Sequence, residues 1–423
     1  MKRVVIVGGG FAGCAAAITV AKAGLEAVLI ERRNALSGLG AWTGHLVTWV
    51  PRQETKLLGG GGAELVATLE SLTLHAGPAL GVPDHILAFD ATQTDARMER
   101  LVRQWGVQVI LRRRAVDVVR KGDRVEAVIL NDGTRVEGDA FVDTTGKGGG
   151  MEVCEKYGQG CVVCVVQCPM WGDRVSISER AEVADVSTGR EASYLGAMLL
   201  AMESLSLEVQ KRIIEGVGGY SYHPLPEEMV GMDVTRYWRR PEQPPTTTLY
   251  RSHIEFLHMP FAKIYRPNIP TDVLHQIPGF ENAWHINPMA GGDGQAVQLD
   301  SIAPHDTTMR VTGLSNMFCG GVRAGRYRGF LEGVCAADLA GYNACREAQG
   351  LPIKSLPETT VIGLFFARIN QGHMYCDWPP GLAASAECDI YRERGLATTD
   401  MTKIRQRMEE AELVGMYGRK LVS

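Results

Sequence analysis

The sequence lacks the features that mark membrane, disulfide-stabilised and nucleic-acid-binding proteins. Its longest later apolar run, TVIGLFFA at 360–367, is far too short to cross a bilayer. The ten cysteines in 423 residues are scattered apart from one cluster, and the chain is too long for a disulfide scaffold. A net charge of −4 gives no electrostatic reason to expect nucleic acid. We therefore expect a cytoplasmic protein with reduced thiols, without membrane contact and without a nucleic-acid partner.

We also expect no signal peptide at the N-terminus, although MKRVVIVGGG begins with basic and then apolar residues. The apolar run stops after 4–7 and glycines follow, which indicates a strand and a turn. The length of 423 residues predicts two or three domains.

The first glycine signature is G-x-G-x-x-G at Gly8, Gly10 and Gly13, between a predicted buried strand and an Ala-rich helix. Gly8 permits the tight turn, Gly10 lets a pyrophosphate approach the backbone, and Gly13 lets the helix press against the strand. The start of the helix directs free N–H groups at the phosphates. Glu31 closes the second predicted strand, where a carboxylate accepts hydrogen bonds from ribose hydroxyls. This pattern predicts a dinucleotide site, for either NAD or FAD.

The second signature follows a predicted β-meander at 105–138. The last strand of this region, DAFVDTTG at 139–146, ends on small residues. It resembles the G-D-x-x-V-x-A-T-G segment of flavoproteins with two dinucleotide sites. Thr144 stands where that class usually has alanine.

The third signature is NMFCGGVRAGRYRGFLEGVCAADLAGYNA at 316–344. It predicts a short strand ending at Gly320 and Gly321, and a helix that starts near Gly329. It resembles the segment that closes over the isoalloxazine ring in the same flavoproteins. Arginines at 323, 326 and 328 have two interpretations. They bind an anionic group, which would be a substrate carboxylate or the reduced flavin, or they belong to a solvated loop.

The three signatures together resemble the FAD-dependent oxidoreductases of the glutathione reductase-like superfamily. IPGFENAWHINPMAGG at 277–292 is also similar to the tRNA-modifying GidA group, and the fumarate reductase-like branch shares some features. The resemblance implies FAD as cofactor. The residues that it implies for FAD binding are Gly8, Gly10, Phe11, Ala12, Gly13, Glu31, Arg32, Val116, Thr145, Gly146, Gly321, Gly329 and Phe330.

The implied fold class is α/β: a doubly wound, Rossmann-like FAD-binding domain, an inserted α+β substrate domain and a helical C-terminal tail. The expected boundaries are 1–150 with 286–350 for the FAD domain, 151–285 for the substrate domain and 351–423 for the tail. Because a second G-x-G-x-x-G does not follow any predicted strand, we expect no built-in NAD(P)H site. Electrons would come from the substrate, a free reductant or a partner protein.

Patterns within the inserted region predict its elements. Apolar residues at helical spacing in 194–216 predict a helix. The segments HPLPEEM at 223–229 and RRPEQPPTTT at 239–248 predict loops. Alternation over 246–261 predicts a strand directed at the cofactor. In the tail, the charge pattern of 399–417 predicts a helix.

The densest cysteine cluster places Cys161, Cys164 and Cys168 at the last three positions of the bacterial ferredoxin run, followed by Pro169. Gly158 stands where the first cysteine belongs, and Cys154 could replace it only from a shifted position. Valines between the cysteines favour an extended strand, in which successive thiols do not converge. An iron–sulfur cluster, a Cys161/Cys164 redox dithiol and buried structural thiols all stay open, and the last is favoured. We predict no other metal site.

Catalysis on a flavin needs a path to N5 and a base. The candidate bases are His45, His253, His258 and His285, with Arg326 orienting an acid group, although any one of these histidines is more often structural. The predicted function is hydride transfer between a small organic, anionic substrate and flavin N5. One alternative is an RNA-modifying flavoprotein of GidA type, and another is the FAD subunit of an electron-transfer or protein-maturation complex. Beside the small-molecule substrate, the candidate partners are a redox protein and a second copy of the chain in a homo-oligomer.

Overall fold

The structure is a computed structural model of the full chain. It describes residues 1–38, 40, 45–48, 50–79, 82–146, 176–187, 198–201, 204–208, 210, 220–224, 246–252, 261–264, 275–276, 278–284, 301–325, 330–370, 390–398 and 400–422.

The described helices and strands are as follows. The helices are α1 (Phe11–Lys22), α2 (Arg52–Leu58), α3 (Gly61–Ser71), α4 (Ala91–Gln104), α5 (Ile177–Arg180), α6 (Phe330–Ala348), α7 (Val361–Asn370) and α8 (Met401–Glu410), with 3-10 turns at Gly321–Ala324 and Met416–Gly418. The strands are β1 (Arg3–Val7), β2 (Glu26–Ile30), β3 (His45–Val47), β4 (Thr73–Ala79), β5 (Val82–Phe89), β6 (Gln108–Ile110), β7 (Ala115–Lys121), β8 (Arg124–Leu130), β9 (Arg135–Glu137), β10 (Ala140–Asp143), β11 (Val186–Ser187), β12 (Met198–Ala201), β13 (Tyr220–Pro224), β14 (Thr246–Ser252), β15 (Phe261–Ile264), β16 (Ser301–Ile302) and β17 (Met317–Cys319).

A parallel sheet forms the centre of the molecule, with the strand order β17-β10-β1-β2-β6. Its strands are short and mainly apolar, and the side chains of β10 and β17 are all buried. Continuous apolar runs are typical of parallel strands because helices cover both faces. The predicted α/β class with a doubly wound sheet is confirmed. Strands from two distant parts of the chain, β10 and β17, are neighbours in this sheet.

Helices α1 and α6 pack closely because small residues line their contact. A Cβ atom on Gly341 of α6 would lie 2.8 Å from the carbonyl oxygen of Ala16 in α1. One helical turn earlier in α6, a Cβ on Gly320 would lie 2.5 Å from the Cα of Ala337. Larger side chains would push α6 away from both α1 and the sheet. The contact therefore depends on glycine and alanine.

The described residues also form four antiparallel sheets. The predicted meander is confirmed as β7-β8-β9, and the other sheets are β3-β5-β4, β11-β16 and β12-β15-β14-β13. The predicted strand in 246–261 is confirmed for Thr246–Ser252, whereas Phe261 begins a separate strand, Phe261–Ile264, that pairs antiparallel with it.

Two predictions for the inserted region are wrong. Within the helix predicted for 194–216, Met198–Ala201 forms a strand that pairs with Phe261–Ile264. A short apolar run does not by itself distinguish a strand from a buried helix, and here pairing with a distant strand decides. Part of the predicted loops is also β structure, because Tyr220–Pro224 pairs with Thr246–Ser252.

The tail contains the predicted helix, as α8, together with α7. Here the apolar run TVIGLFFA belongs to a helix with Val361 to Phe366 buried. None of the described helices is long and apolar enough to cross a membrane.

A buried carboxylate ties the tail to the N-terminal half. Glu54 of α2 is fully buried and accepts hydrogen bonds from the backbone N–H groups of Val361 and Ile362, at 3.2 and 3.0 Å. Arg407 of α8 pairs with the same carboxylate at 2.6 Å. Burial raises the pKa of Glu54, while the charge of Arg407 opposes that rise. Glu54 therefore caps the start of α7 and holds α8.

We expect Arg407→Met to lower the free energy of unfolding by about 3 kcal/mol, because it leaves the Glu54 carboxylate buried without its cation. Chemical denaturation followed by circular dichroism would measure the change. Arg405→Met on the same helix is the control, since Arg405 and its partner Glu409 are both more than half exposed. This control should unfold like the wild type, and equal effects of the two substitutions would contradict the assigned role of Glu54.

Candidate functional site

The three glycine signatures come together at one edge of the parallel sheet. Strands β1, β10 and β17 stand side by side in that sheet, and each leads into one of the glycine turns. A Cβ atom on Gly8 would lie 2.2 Å from the carbonyl oxygen of Thr144, and one on Gly321 would lie 2.8 Å from the Cβ of Ala12. Ligands of open α/β sheets bind beyond the carboxyl ends of the strands. The three turns therefore outline one candidate site.

The turn between β1 and α1 has the geometry of a dinucleotide-binding loop. Gly8 has a φ of +106°, a backbone conformation that favours glycine. A Cβ on Gly13 would lie only 1.8 Å from the carbonyl oxygen of Gly8, so the helix presses against the strand. A Cβ on Gly10, by contrast, would meet nothing within 4 Å. The fold thus requires glycine at positions 8 and 13, whereas Gly10 leaves open space on the side where a phosphate would approach.

The start of α1 leaves its N–H groups available for an anion. Phe11, Ala12 and Gly13 form the first turn; Gly10 provides no side-chain cap, and the turn holds no acidic residue. The rings of Phe11 and Phe330 are 6.3 Å apart, which brings the start of α6 beside the start of α1. Positive dipole ends and free N–H groups at a helix start attract phosphate. These residues fit the pyrophosphate of a dinucleotide.

Glu31 lies directly after β2 and is buried. Its two carboxylate oxygens accept hydrogen bonds from the backbone N–H groups of Gly9, at 2.6 Å, and Arg33, at 2.8 Å. Each oxygen can accept a further hydrogen bond. The role expected for Glu31 toward ribose hydroxyls stays a prediction, as does that of the neighbouring half-buried Arg32.

The turn after β10 is held by Asp143. One oxygen of its carboxylate accepts hydrogen bonds from the Thr145 backbone N–H, at 3.1 Å, and from the Thr145 hydroxyl, at 2.6 Å. The hydroxyl of Thr144 donates to the carbonyl oxygens of Val7 and Gly8, at 2.8 and 2.9 Å. Threonine in place of the usual alanine therefore adds a link between the β10 turn and the β1 turn.

The remaining expected residues lie in several elements. Gly146 and Gly321 have φ values of +88° and +63°, within their respective turns. Val116 lies at an irregularity of β7, where the pairing with β8 shifts register between Ala115 and Asp117. The backbone of His45 lies in β3, opposite Ala88 of β5.

Several candidates lie outside the described residues. They are Gly329, Arg326, Arg328, His253, His258, His285 and the cysteine cluster formed by Cys154, Cys161, Cys164 and Cys168.

One interpretation of the arginines is corrected by the structure. Arg323 is neither a ligand for an anionic substrate nor part of a solvated loop, because it is fully buried and pairs with Asp143 and Asp185. Burial alone would lower the pKa of Arg323, but the charges of Asp143 and Asp185 raise it above its usual range. The spacing of the arginines did not predict this pairing, since both carboxylates come from distant parts of the sequence.

Sequence reasoning also missed Glu332. This carboxylate is fully buried in the first turn of α6 and accepts hydrogen bonds from the Val50 backbone N–H, at 3.1 Å, and from the Thr48 hydroxyl, at 3.3 Å. It fixes the loop after β3 to the start of α6. An acidic residue in an otherwise apolar and small-residue helix start was the available signal.

The described cysteines are buried free thiols at Cys14, Cys319, Cys335 and Cys345. Burial raises the pKa of Cys14 to about 12 and raises the pKa values of the other three as well. A nucleophilic or redox-active cysteine needs a thiolate, so these four are structural. Within the described part of the chain, no group of three or more His, Cys, Asp or Glu side chains could hold a metal ion.

Two family models match the chain. The model described as "FAD dependent oxidoreductase" matches residues 3–155 and therefore includes the first two glycine signatures. The model described as "Glucose inhibited division protein A" matches residues 260–352, which include the third.

Curated relatives include the methylenetetrahydrofolate–tRNA-(uracil-5-)-methyltransferases TrmFO. The chain is 31% identical over 105 residues to that of Methylobacterium radiotolerans and 32% identical over 102 residues to that of Methylorubrum extorquens. The first match covers 25% of this chain and 22% of the relative, and the second covers 24% and 21%. The matched segment thus spans about a fifth of the length of these relatives.

Similar solved structures show the same fold at low identity. Aquifex aeolicus GidA has a TM-score of 0.60 at 14% identity, with 96% of this chain and 76% of that chain covered. The Diels-Alderase PyrE3 of pyrroindomycin biosynthesis has a TM-score of 0.52 at 16% identity, with 99% and 79% covered. Together with the glycine-turn geometry, these findings support a flavoenzyme with FAD as its cofactor, similar over residues 3–155 to FAD-dependent oxidoreductases and over residues 260–352 to GidA.

Proposed function

We propose that this protein transfers a hydride between a small organic, anionic substrate and N5 of bound FAD. The observation that carries the proposal is the meeting of three glycine turns at the carboxyl edge of one parallel sheet. A nicotinamide-only dehydrogenase would need the first turn but not the other two.

Each turn has a proposed part in holding FAD. The free N–H groups of Phe11, Ala12 and Gly13 would bind the pyrophosphate, with Gly8 and Gly10 shaping the loop. Glu31 and Arg32 would face the adenosine ribose, and Val116 would lie along the adenosine part. The flavin end would be enclosed by Thr145, Gly146, Gly321, Gly329 and Phe330.

Bound FAD would supply a two-electron acceptor at N5. The chain itself would supply a base, for which His45, His253, His258 and His285 are the candidates, and Arg326 to orient the acid group of the substrate. The proposal assigns FAD binding to 1–150 with 286–350, substrate binding to 151–285 and a covering role to 351–423. We also propose that the protein lies in the cytoplasm, forms a homo-oligomer and exchanges electrons with a redox protein.

The absorption spectrum of the purified full-length protein tests the proposal. We expect the two visible bands of oxidised flavin, bleaching on reduction, and release of FAD on denaturation. Iron analysis of the same sample distinguishes flavin alone from flavin with an iron–sulfur cluster, which adds a broad shoulder. A colourless protein that binds NAD and refuses added FAD would overturn the proposal.

Two glycine substitutions separate binding from folding. Gly10→Ala adds a Cβ in open space, so the apoprotein should unfold like the wild type. FAD binding should weaken about tenfold, which corresponds to ~1.4 kcal/mol, because the added methyl group would face the pyrophosphate. Gly13→Ala places its Cβ against the Gly8 carbonyl and should destabilise the apoprotein by about 1–3 kcal/mol. Flavin titration and denaturation of both variants measure the two effects. Wild-type FAD affinity in Gly10→Ala would contradict the proposed position of the pyrophosphate.

A second candidate function is tRNA modification, favoured by the match to the GidA family model over residues 260–352 and by the TrmFO relatives. A net charge of −4 opposes it. A filter-binding titration with bulk tRNA at several salt concentrations tests it, with bovine serum albumin as an acidic control protein. We expect no saturable binding at about 0.15 M salt. Saturable binding that the control lacks would favour the RNA-modifying function over the small-molecule one.

A further inference from the structure

A buried charged cluster lies beneath the second and third glycine turns. The guanidinium of Arg323 lies 3.3 Å from a carboxylate oxygen of Asp143 and 2.5 Å from one of Asp185. The side chains of Arg323 and Asp143 are fully buried, and that of Asp185 is 3% exposed. We name these three residues the Arg323 cluster. Charges this deeply buried persist only when each is paired and hydrogen-bonded.

The cluster joins the two turns through Asp143. One carboxylate oxygen of Asp143 holds the Thr145 turn, as described above, and the other accepts the hydrogen bond from Nε of Arg323. The backbone carbonyl of Asp143 also accepts a hydrogen bond from the N–H of Gly320, at 2.9 Å. Since Arg323 lies within the 3-10 turn Gly321–Ala324, a single aspartate fixes both turns relative to each other.

A second nitrogen of the guanidinium reaches a third segment. Its Nη2 donates to the hydroxyls of Ser176 and Ser178, at 2.6 and 3.2 Å, and pairs with Asp185. The Ser178 hydroxyl in turn donates to Asp143 at 2.7 Å. Arginine suits this position because its planar group presents donors in several directions at once, whereas lysine presents a single ammonium. Replacing arginine by lysine would therefore keep the charge but lose part of the connection.

We propose that Arg323 is a positioning residue for the cofactor site: it holds the 143–146 and 320–325 turns in the arrangement that binds FAD. The inference rests on the proposed FAD binding and adds to it a residue that need not touch the cofactor. The reason is the linkage just described, in which the Arg323 guanidinium connects the 320–325 turn to the carboxylate that holds the 143–146 turn. Without the guanidinium, Asp143 would be a buried carboxylate without its cation, and the turns would sample other arrangements.

The size of the effect follows from the population of the binding-competent arrangement. The apparent dissociation constant of a ligand rises by the factor by which the binding-competent arrangement is depopulated. We expect Arg323→Met to weaken FAD binding about tenfold, within the range typical of coupling between linked sites. Arg323→Lys should fall between the wild type and Arg323→Met. By reciprocity, FAD should raise the melting temperature of the wild type more than that of the variants.

The experiment compares full-length apoprotein of the wild type, Arg323→Met, Arg323→Lys, Ser178→Ala and Arg407→Met. Each is titrated with FAD by flavin fluorescence, and the melting temperature is recorded with and without FAD. Arg407→Met is the matched control, because it also breaks a buried ion pair but lies on α8, apart from the glycine turns. A merely structural role for Arg323 would lower stability in both Arg323→Met and Arg407→Met and leave the FAD affinity of each unchanged.

Weaker FAD binding in the order wild type, Arg323→Lys, Arg323→Met, with unchanged affinity in Arg407→Met, supports the inference. Wild-type affinity in the two Arg323 variants overturns it while leaving the proposed FAD binding intact. If Arg323→Met does not fold, Arg323→Lys and Ser178→Ala decide: weaker binding in both supports the inference, and wild-type affinity in either overturns it. A wild type that does not bind FAD overturns the proposed function itself, and this inference with it.

Discussion

The close approach of the backbone at Gly8 to the backbone at Thr144 fixes the edge of the sheet on which the candidate site depends. A Cβ on Gly8 would lie 2.2 Å from the Thr144 carbonyl oxygen, and one on Gly13 would lie 1.8 Å from the Gly8 carbonyl oxygen. Strand, turn and helix therefore pack without intervening side chains. The Thr144 hydroxyl adds hydrogen bonds to Val7 and Gly8 across the same contact. With the backbone held in this way, the N–H groups at the start of α1 have a fixed direction, which binding a pyrophosphate requires.

Buried polar groups join elements that are far apart in sequence. Thr19 of α1 donates to Asp338 of α6 at 2.6 Å, and the same carboxylate accepts the N–H of Gly62 at the start of α3. Burial raises the pKa of Asp338 to about 6. The Glu54–Arg407 pair and the Arg323 cluster follow the same principle, since each carboxylate meets backbone N–H groups or a cation. Such groups cost desolvation and favour one packing arrangement, because any other arrangement leaves them without hydrogen bonds.

The local sequence pattern predicted the helices and strands correctly wherever it is compatible with only one kind of secondary structure. Glycine turns between apolar strands and small-residue helices predicted β1, α1, β2, β10, β17 and α6, and charge spacing predicted α8. The pattern failed in the inserted region, where the apolar run at 198–201 suited helix and strand equally and pairing with β15 decided for strand. The sheet β3-β5-β4 was not predicted either, because its strands pair through tertiary contact rather than through a distinctive turn sequence.

For the candidate site, the sequence alone determined the glycine turns and, through the family resemblance, the class of cofactor, because glycines at fixed spacing between a strand and a helix form a local pattern. Only the tertiary structure decided the partners of the charged groups. Arg323 stood in a loop sequence that suggested an anion site, yet it pairs with carboxylates contributed by β10 and by the segment before β11. The partner of a charge depends on which distant segments the fold brings within a few ångströms. Short-range spacing does not encode that distance, whereas the contact that requires glycine at position 13 is with the Gly8 carbonyl oxygen, five residues earlier in the sequence.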